Sequence, residues 1–276
     1  KILLDNKLDL LPVLDDEKRV IDYITWNQAF SEKKSETLQK SKVHVPVVIM
    51  AGGEGTRLEP FTKILPKPLI PVGDMTIVEV IMEEFRAQGV KDFYLTLNYK
   101  GEMIEAYFNY NGNGRDYKIN YLWEDDYLGT AGGLKMLDGI IGDTFIVSNC
   151  DVIVKANFEQ VLALHKEQHA TLTILSSIQY YKVPYGVVKF RGRGEVLDII
   201  EKPEYTLTVN TGVYVLSKEA LQFIPDESSF DMTDLVKKLI EKGRRVITYP
   251  VNENDYVDIG HWDEYKRAVE KLQLVL

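Results

Sequence analysis

From residue 43 onward, short unbroken apolar runs alternate with stretches in which apolar residues recur every three or four positions. VPVVIM (45–50), DFYLTLNY (92–99), YKINYLWE (117–124), DTFIVSNCD (143–151) and TLTILSSI (171–178) have the length and residue content of strands. TIVEVIMEEFRAQG (76–89), GEMIEAYFNY (101–110) and NFEQVLALHKEQHA (157–170) carry helical spacing between them. Strands separated by helices predict an α/β domain with a mostly parallel sheet. YGVVKF, EVLDIIEK and TGVYVL, between residues 185 and 216, read as short strands joined by turns, a strand-rich insertion beside the main sheet.

The first thirty residues follow another rule. LDLLPVLDDEKRVIDYITWNQAF reads as strand, Asp-Asp turn, strand and the start of a helix. SEKKSETLQKSK, residues 31–42, is charged and aperiodic and reads as a linker. The expected organisation is therefore an N-terminal remnant (1–30), a linker (31–42) and one large domain (43–276).

Composition narrows the function classes. An apolar fraction of 45% and a charged fraction of 27% are those of a soluble globular chain, and no apolar run reaches membrane-span length. A net charge of −9 argues against a nucleic-acid binder. A single cysteine, Cys150, precludes an intramolecular disulfide and suits a reducing cytoplasm. An acidic protein that holds a polyanion must concentrate cations locally or recruit a metal.

Such a concentration follows the first strand. MAGGEGTRLEPFTKILPKP (50–68) places three glycines, Arg57, Lys63 and Lys67 within nineteen residues. Glycines let backbone N–H groups approach a phosphate closely, and a turn entering a helix would present several free donors. Arg57 supplies a guanidinium that can bridge phosphate oxygens. The prolines on either side of Lys67 stiffen its backbone and hold the cation in place. Neither the dinucleotide fingerprint nor the P-loop signature fits this spacing.

AGGEGTRLEPFTKILPKPLIPVG resembles the signature of the sugar-1-phosphate nucleotidyltransferases, and LGTAGGL, NCD, PYGVV, EKP, NTGVYVL and DIG follow in that family's order. The resemblance implies a Rossmann-like three-layer α/β fold with a small strand-rich sugar-binding part. It also implies transfer of a nucleoside monophosphate from an NTP to a sugar-1-phosphate. By resemblance, Ala51, Gly52, Gly53, Gly55, Thr56 and Gly129 contact the nucleotide, and Arg57, Lys67 and Lys202 stabilise the reacting phosphates. Tyr185, Gly186, Glu201, Asn210 and Thr211 contact the sugar. Asp151 and Asp258 are the Mg²⁺ ligands that the resemblance implies, a pair that Mg²⁺ accepts together with substrate oxygens and water. Family members usually carry glycine where this chain has Cys150. A homo-oligomer is left open.

Glu124, five residues before Gly129, stands where related enzymes place a Gln or Glu against the base. A carboxylate only accepts hydrogen bonds, which suits the adjacent N1–H and N2–H₂ donors of guanine. The alternative is a solvent-facing Glu124 within the acidic run EDD. The histidines show no metal-site spacing, and His165 and His169 read as part of a polar helix face.

LPVLDDEKRVIDYITWNQAF resembles the end of a CBS module, too short to be a complete one. CBS-linked glucosamine-1-phosphate guanylyltransferases of legionaminic acid synthesis combine such modules with this signature, which makes GTP and glucosamine-1-phosphate the expected substrates. Thymidylyl, uridylyl or cytidylyl transfer, and a regulatory module that binds nucleotide without turnover, are the alternatives.

Overall fold

The computed structural model describes residues 10–15, 17–25, 43–110, 114–226 and 228–273. The chain opens with an antiparallel hairpin, β1 (Leu10–Leu14) and β2 (Val20–Thr25). The Asp15 carboxylate closes its turn by accepting from the backbone N–H groups of Glu17 and Arg19. The expected helix start after β2 and the linker lie outside the described residues.

The large domain begins with β3 (Val47–Met50), the small hairpin β4 (Pro71–Val72) and β5 (Met75–Thr76), and α1 (Ile77–Arg86). Thr76 caps α1: its hydroxyl accepts from Glu79 N, and the Glu79 carboxylate accepts from Thr76 N. Next come β6 (Asp92–Leu97), α2 (Gly101–Tyr110), β7 (Lys118–Trp123), β8 (Thr144–Asn149) and β9 (Val152–Val154). After α3 (Phe158–Glu167) the chain enters β10 (Leu172–Lys182), the hairpin β11 (Val187–Arg191) and β12 (Glu195–Ile200), and β13 (Glu204–Ser217). It ends with α4 (Met232–Glu241), β14 (Val246–Val251), β15 (Tyr256–Asp258) and α5 (Trp262–Gln273).

Seven strands form the central sheet in the order β14-β10-β13-β8-β3-β6-β7. All its neighbours run parallel except at β13, which is antiparallel to both β10 and β8. The two-residue period sorts side chains into two cores. Val47, Ile49, Ile146, Val213 and Val215 face α1, α2 and α3, whereas Val48, Phe145, Val147, Tyr214 and Leu216 face α4 and the segment around Leu134 and Leu137. This is the mostly parallel three-layer arrangement expected.

One expectation is corrected here. TGVYVL is not beside the main sheet but near its middle, as the second half of the fourteen-residue β13. Only β11 and β12 stand off as a separate two-stranded sheet, with Phe190, Val196 and Ile199 exposed. Thr211 marks the change along β13. Residues 211–216 are all buried, whereas residues 204–210 are exposed or half-buried.

A second correction concerns His165. It is 3% exposed and bridges α3 to the sheet, with Nδ1 2.8 Å from Thr173 Oγ1 and Nε2 2.9 Å from Ser217 Oγ, while His169 is exposed beyond the helix end. Burial pushes the His165 imidazole down from 6.5 to about 4. The unfolded chain takes up a proton below pH 6.5 that the folded chain refuses. The stability His165 confers is thus complete above that pH and lost progressively down to about pH 4, by about 3 kcal/mol in all. Urea midpoints between pH 7 and 4.5 should fall more steeply for the parent chain than for His165→Gln. Equal slopes would remove His165 as the cause.

Candidate functional site

Four chain segments meet at the carboxyl ends of neighbouring parallel strands: Ala51 follows β3, Asn98 follows β6, Glu124 follows β7, and Cys150 with Asp151 follow β8. Strand order reverses between β3 and β8, and open α/β sheets place ligands at such a switch point. A cavity of 510 Å³ opens there, lined by Gly52, Gly53, Gly55, Thr56, Arg57, Lys67, Glu124, Gly129 and Asp151.

The glycine turn leaves β3 without entering a long helix. It ends at Gly55 in a left-handed conformation (φ 68°) and leads only into a 3₁₀ turn, Thr56–Leu58, which corrects the expectation of a helix start. A Cβ on Gly55 would lie 2.9 Å from Lys67 Cβ and 3.0 Å from Thr62 Cγ2, so conformation and space both call for glycine. The turn therefore lies directly on the lysine that follows it in sequence. Lys67 itself is 6% exposed, and its ammonium donates to Asp151 Oδ2. Arg57 reaches the same oxygen at 3.9 Å from a far more exposed position.

Asp258 arrives from the far end of the chain through β15. That strand pairs with β9 so that Asp258 stands opposite Val152, and Ile259 N donates to Asp151 O at 2.8 Å. Gly260 fixes the result. Its N–H donates to Asp258 Oδ1 at 2.6 Å, and a Cβ there would lie 2.8 Å from Asp258 Oδ1 and 2.9 Å from Asp151 Oδ2. The two carboxylates converge on one small space. Burial raises the Asp258 carboxyl above its usual range, the Gly260 N–H opposes this, and the neighbouring Asp151 charge adds to it. Two converging oxygens with no third His, Cys, Asp or Glu among the described residues suit a hard cation that takes its remaining ligands from substrate and water. The residues present fit Mg²⁺.

At the other end of the cavity Glu124 is 6% exposed, so the solvent-facing alternative does not hold. Its Oε2 accepts from Leu128 N at 3.2 Å, and its own carbonyl accepts from Asn98 Nδ2 at 2.9 Å. Burial raises its carboxyl above 4.5, opposed by the Leu128 N–H and the Thr96 hydroxyl. A Cβ on Gly133 would overlap Glu124 Oε1, so the last glycine of LGTAGG makes room for the carboxylate. Gly129 plays a different part, lying against the Phe230 carbonyl. Burial pushes the Cys150 thiol up to about 12, and the group is an uncharged part of the wall.

The sugar residues divide. Asn210 and Thr211 line a second cavity of 350 Å³ with Arg57, Asp151 and Asp258. The Thr211 hydroxyl donates to Leu175 O at 2.7 Å. Tyr185, Gly186, Glu201 and Lys202 sit together at the base of the β11–β12 hairpin, where a Cβ on Gly186 would lie 2.9 Å from Glu201 Oε2. They are exposed and line neither cavity. The structure adds residues that no sequence signal marked. Asp231 accepts from Thr130 N at 2.9 Å and lines the acidic cavity, while Asn98 and Tyr127 line the cavity around Glu124.

A glycine turn, two cations and two carboxylates thus meet at the switch point of an open α/β sheet. Residues 46–274 match the Nucleotidyl transferase family, to which the chain belongs. It is 32% identical over 242 residues to a UTP--glucose-1-phosphate uridylyltransferase of Synechocystis, covering 80% of this chain and 62% of the relative. It is 36% identical over 186 residues to a mannose-1-phosphate guanyltransferase of Yarrowia lipolytica, covering 64% and 50%. The chain thus spans only half to three fifths of the length of these curated relatives. The crystal structure of HddC from Yersinia pseudotuberculosis complexed with GMP-PN superposes with a TM-score of 0.61 at 27% identity, covering 83% of this chain and 99% of that one.

Proposed function

We propose that the protein transfers a nucleoside monophosphate from an NTP, GTP in the first instance, to a sugar-1-phosphate, with glucosamine-1-phosphate the expected acceptor. The observation that carries this reading is the arrangement of one cavity. Glu124 lies at its base-reading end, and Arg57, Lys67 and Asp151 lie at its phosphate end, against Asp258.

The reaction is attack by an acceptor phosphate oxygen on the α-phosphorus. A new P–O bond forms, the bond to the bridging oxygen breaks, and pyrophosphate leaves. No strong base is needed, because a phosphate monoester with a second pKa of about 6 is mostly dianionic at neutral pH. Catalysis is then positioning and charge neutralisation. Arg57 and the backbone donors of residues 51–56 hold the β- and γ-phosphates, and Lys67 faces the α-phosphate. Lys202 is assigned the incoming phosphate on sequence alone. Asp151 and Asp258 would hold Mg²⁺, which supplies charge neutralisation between the phosphates when bound.

Guanine is favoured by the buried acceptor Glu124, by the guanyltransferase relative and by the GMP-PN complex of HddC. The uridylyltransferase relative favours UTP as the second reading. The deciding assay is Mg²⁺-dependent pyrophosphate release with GTP, UTP, dTTP, CTP or ATP against glucosamine-, glucose- and mannose-1-phosphate. Release that needs both substrates and prefers GTP supports the proposal. A preference for UTP or dTTP overturns its guanine part. Nucleotide binding without release from any pair would favour a regulatory module.

The β1–β2 hairpin fits the proposed CBS remnant, with residues 31–42 as linker and 43–276 as the catalytic domain. Among the described residues no helix is long and apolar enough to cross a membrane. A cytoplasmic location belongs to the proposal.

A further inference from the structure

The segment after Asp258 is bound to the glycine-rich signature at several points. Trp262 Nε1 donates to Glu59 O at 2.8 Å and its ring packs on Phe61 with centroids 4.9 Å apart. The Tyr265 hydroxyl donates to Pro71 O at 2.6 Å. Between these anchors and Asp258 lies His261, whose Nε2 is 3.1 Å from Arg57 Nη1. Arginine can only donate, so Nε2 is the acceptor in this contact.

We infer that His261 is a positioning residue that holds the Arg57 guanidinium in the orientation in which it receives the nucleotide's terminal phosphates; that consequence rests on the function proposed above. An exposed arginine on a turn would otherwise spread over many rotamers, and ordering it on binding opposes affinity. Here the ordering is done in advance. The His261 backbone is fixed, its carbonyl accepting from Tyr265 N at 2.7 Å, and Ile259 N is bonded to Asp151 O. Arg57 Nη1 is thus held by His261, while Nη2 lies 3.9 Å from Asp151 Oδ2, a long ion pair at the other end of the fork. The same short segment delivers Asp258 to Asp151, so it sets the triphosphate cation and the carboxylate pair together.

The test compares His261→Phe, which keeps a flat ring but no acceptor, with His261→Gln, which restores one. In the ligand-free protein, NMR relaxation of the Arg57 Nε–Hε group should show greater motion in His261→Phe and near-parent order in His261→Gln. With Mg²⁺ present, His261→Phe should bind GTP about tenfold more weakly. GMP, which lacks the β- and γ-phosphates, should bind equally to all three proteins. In an Arg57→Gln background, His261→Phe should cause no further loss. An Arg57 group as ordered in His261→Phe as in the parent overturns the inference, as does a His261→Gln that behaves like His261→Phe. An ordering effect in a parent protein that binds no GTP would sustain the positioning role and overturn the GTP part of the proposed function instead.

Discussion

Asp151→Asn should lower the rate of pyrophosphate release by about 10²–10³, the effect of removing one preorganised charge from such a site. It should also lower the protein's resistance to urea. The asparagine keeps the shape of the side chain but leaves the buried Lys67 ammonium without its direct carboxylate partner. Breaking a buried pair by removing one member costs up to about 3–5 kcal/mol. Asp258 lies close by and the cavity admits water, so the lower part of that range is expected here. Lys67→Met should be as slow as Asp151→Asn. The Lys67→Met/Asp151→Asn double variant should be more stable than the two single losses add up to, because no lone cation is left behind. Rates come from the pyrophosphate assay and stabilities from urea midpoints. Near-parent turnover in Asp151→Asn would take this carboxylate out of the reaction, and additive stabilities would show that the pair does not couple.

The second large effect is on choice of base. Glu124→Gln should shift the ratio of kcat/KM for GTP over UTP by about ten- to a hundredfold toward UTP. A carboxylate can accept from both guanine donors, whereas an amide offers one donor and one acceptor, which uracil matches. Burial adds a pH signature. The Glu124 carboxyl is raised, so a proton returns to it at higher pH than to a free glutamate at 4.5. The preference for GTP should therefore weaken as pH falls, beginning earlier than ordinary carboxylate titration, and Glu124→Gln should lose that pH dependence. An unchanged base ratio in the variant would mean that backbone groups read the base.

Much of this was legible in the chain because periodicity reports local burial. The alternation from residue 43 marks the strands and helices, and the signature marks the turn carrying Arg57 and Lys67. What the pattern does not carry is pairing. An apolar run such as TGVYVL looks the same beside a sheet as inside one, so the place of β13 between β10 and β8 emerged only in three dimensions. Asp231 was missed for a related reason: an acid before a helix reads as an ordinary cap, yet its carboxylate accepts from Thr130 a hundred residues away. The histidines show the limit of side-chain type as a guide. His165 and His261 are equally polar in sequence, and the fold buries one under a helix and aims the other at an arginine.

The short β15–β9 pairing has a consequence for how the molecule is completed. The base end of the cavity is built from residues 50–150, whereas the second carboxylate comes with residue 258. A chain emerging from the ribosome therefore carries the residues that line the base end well before it owns the acid pair.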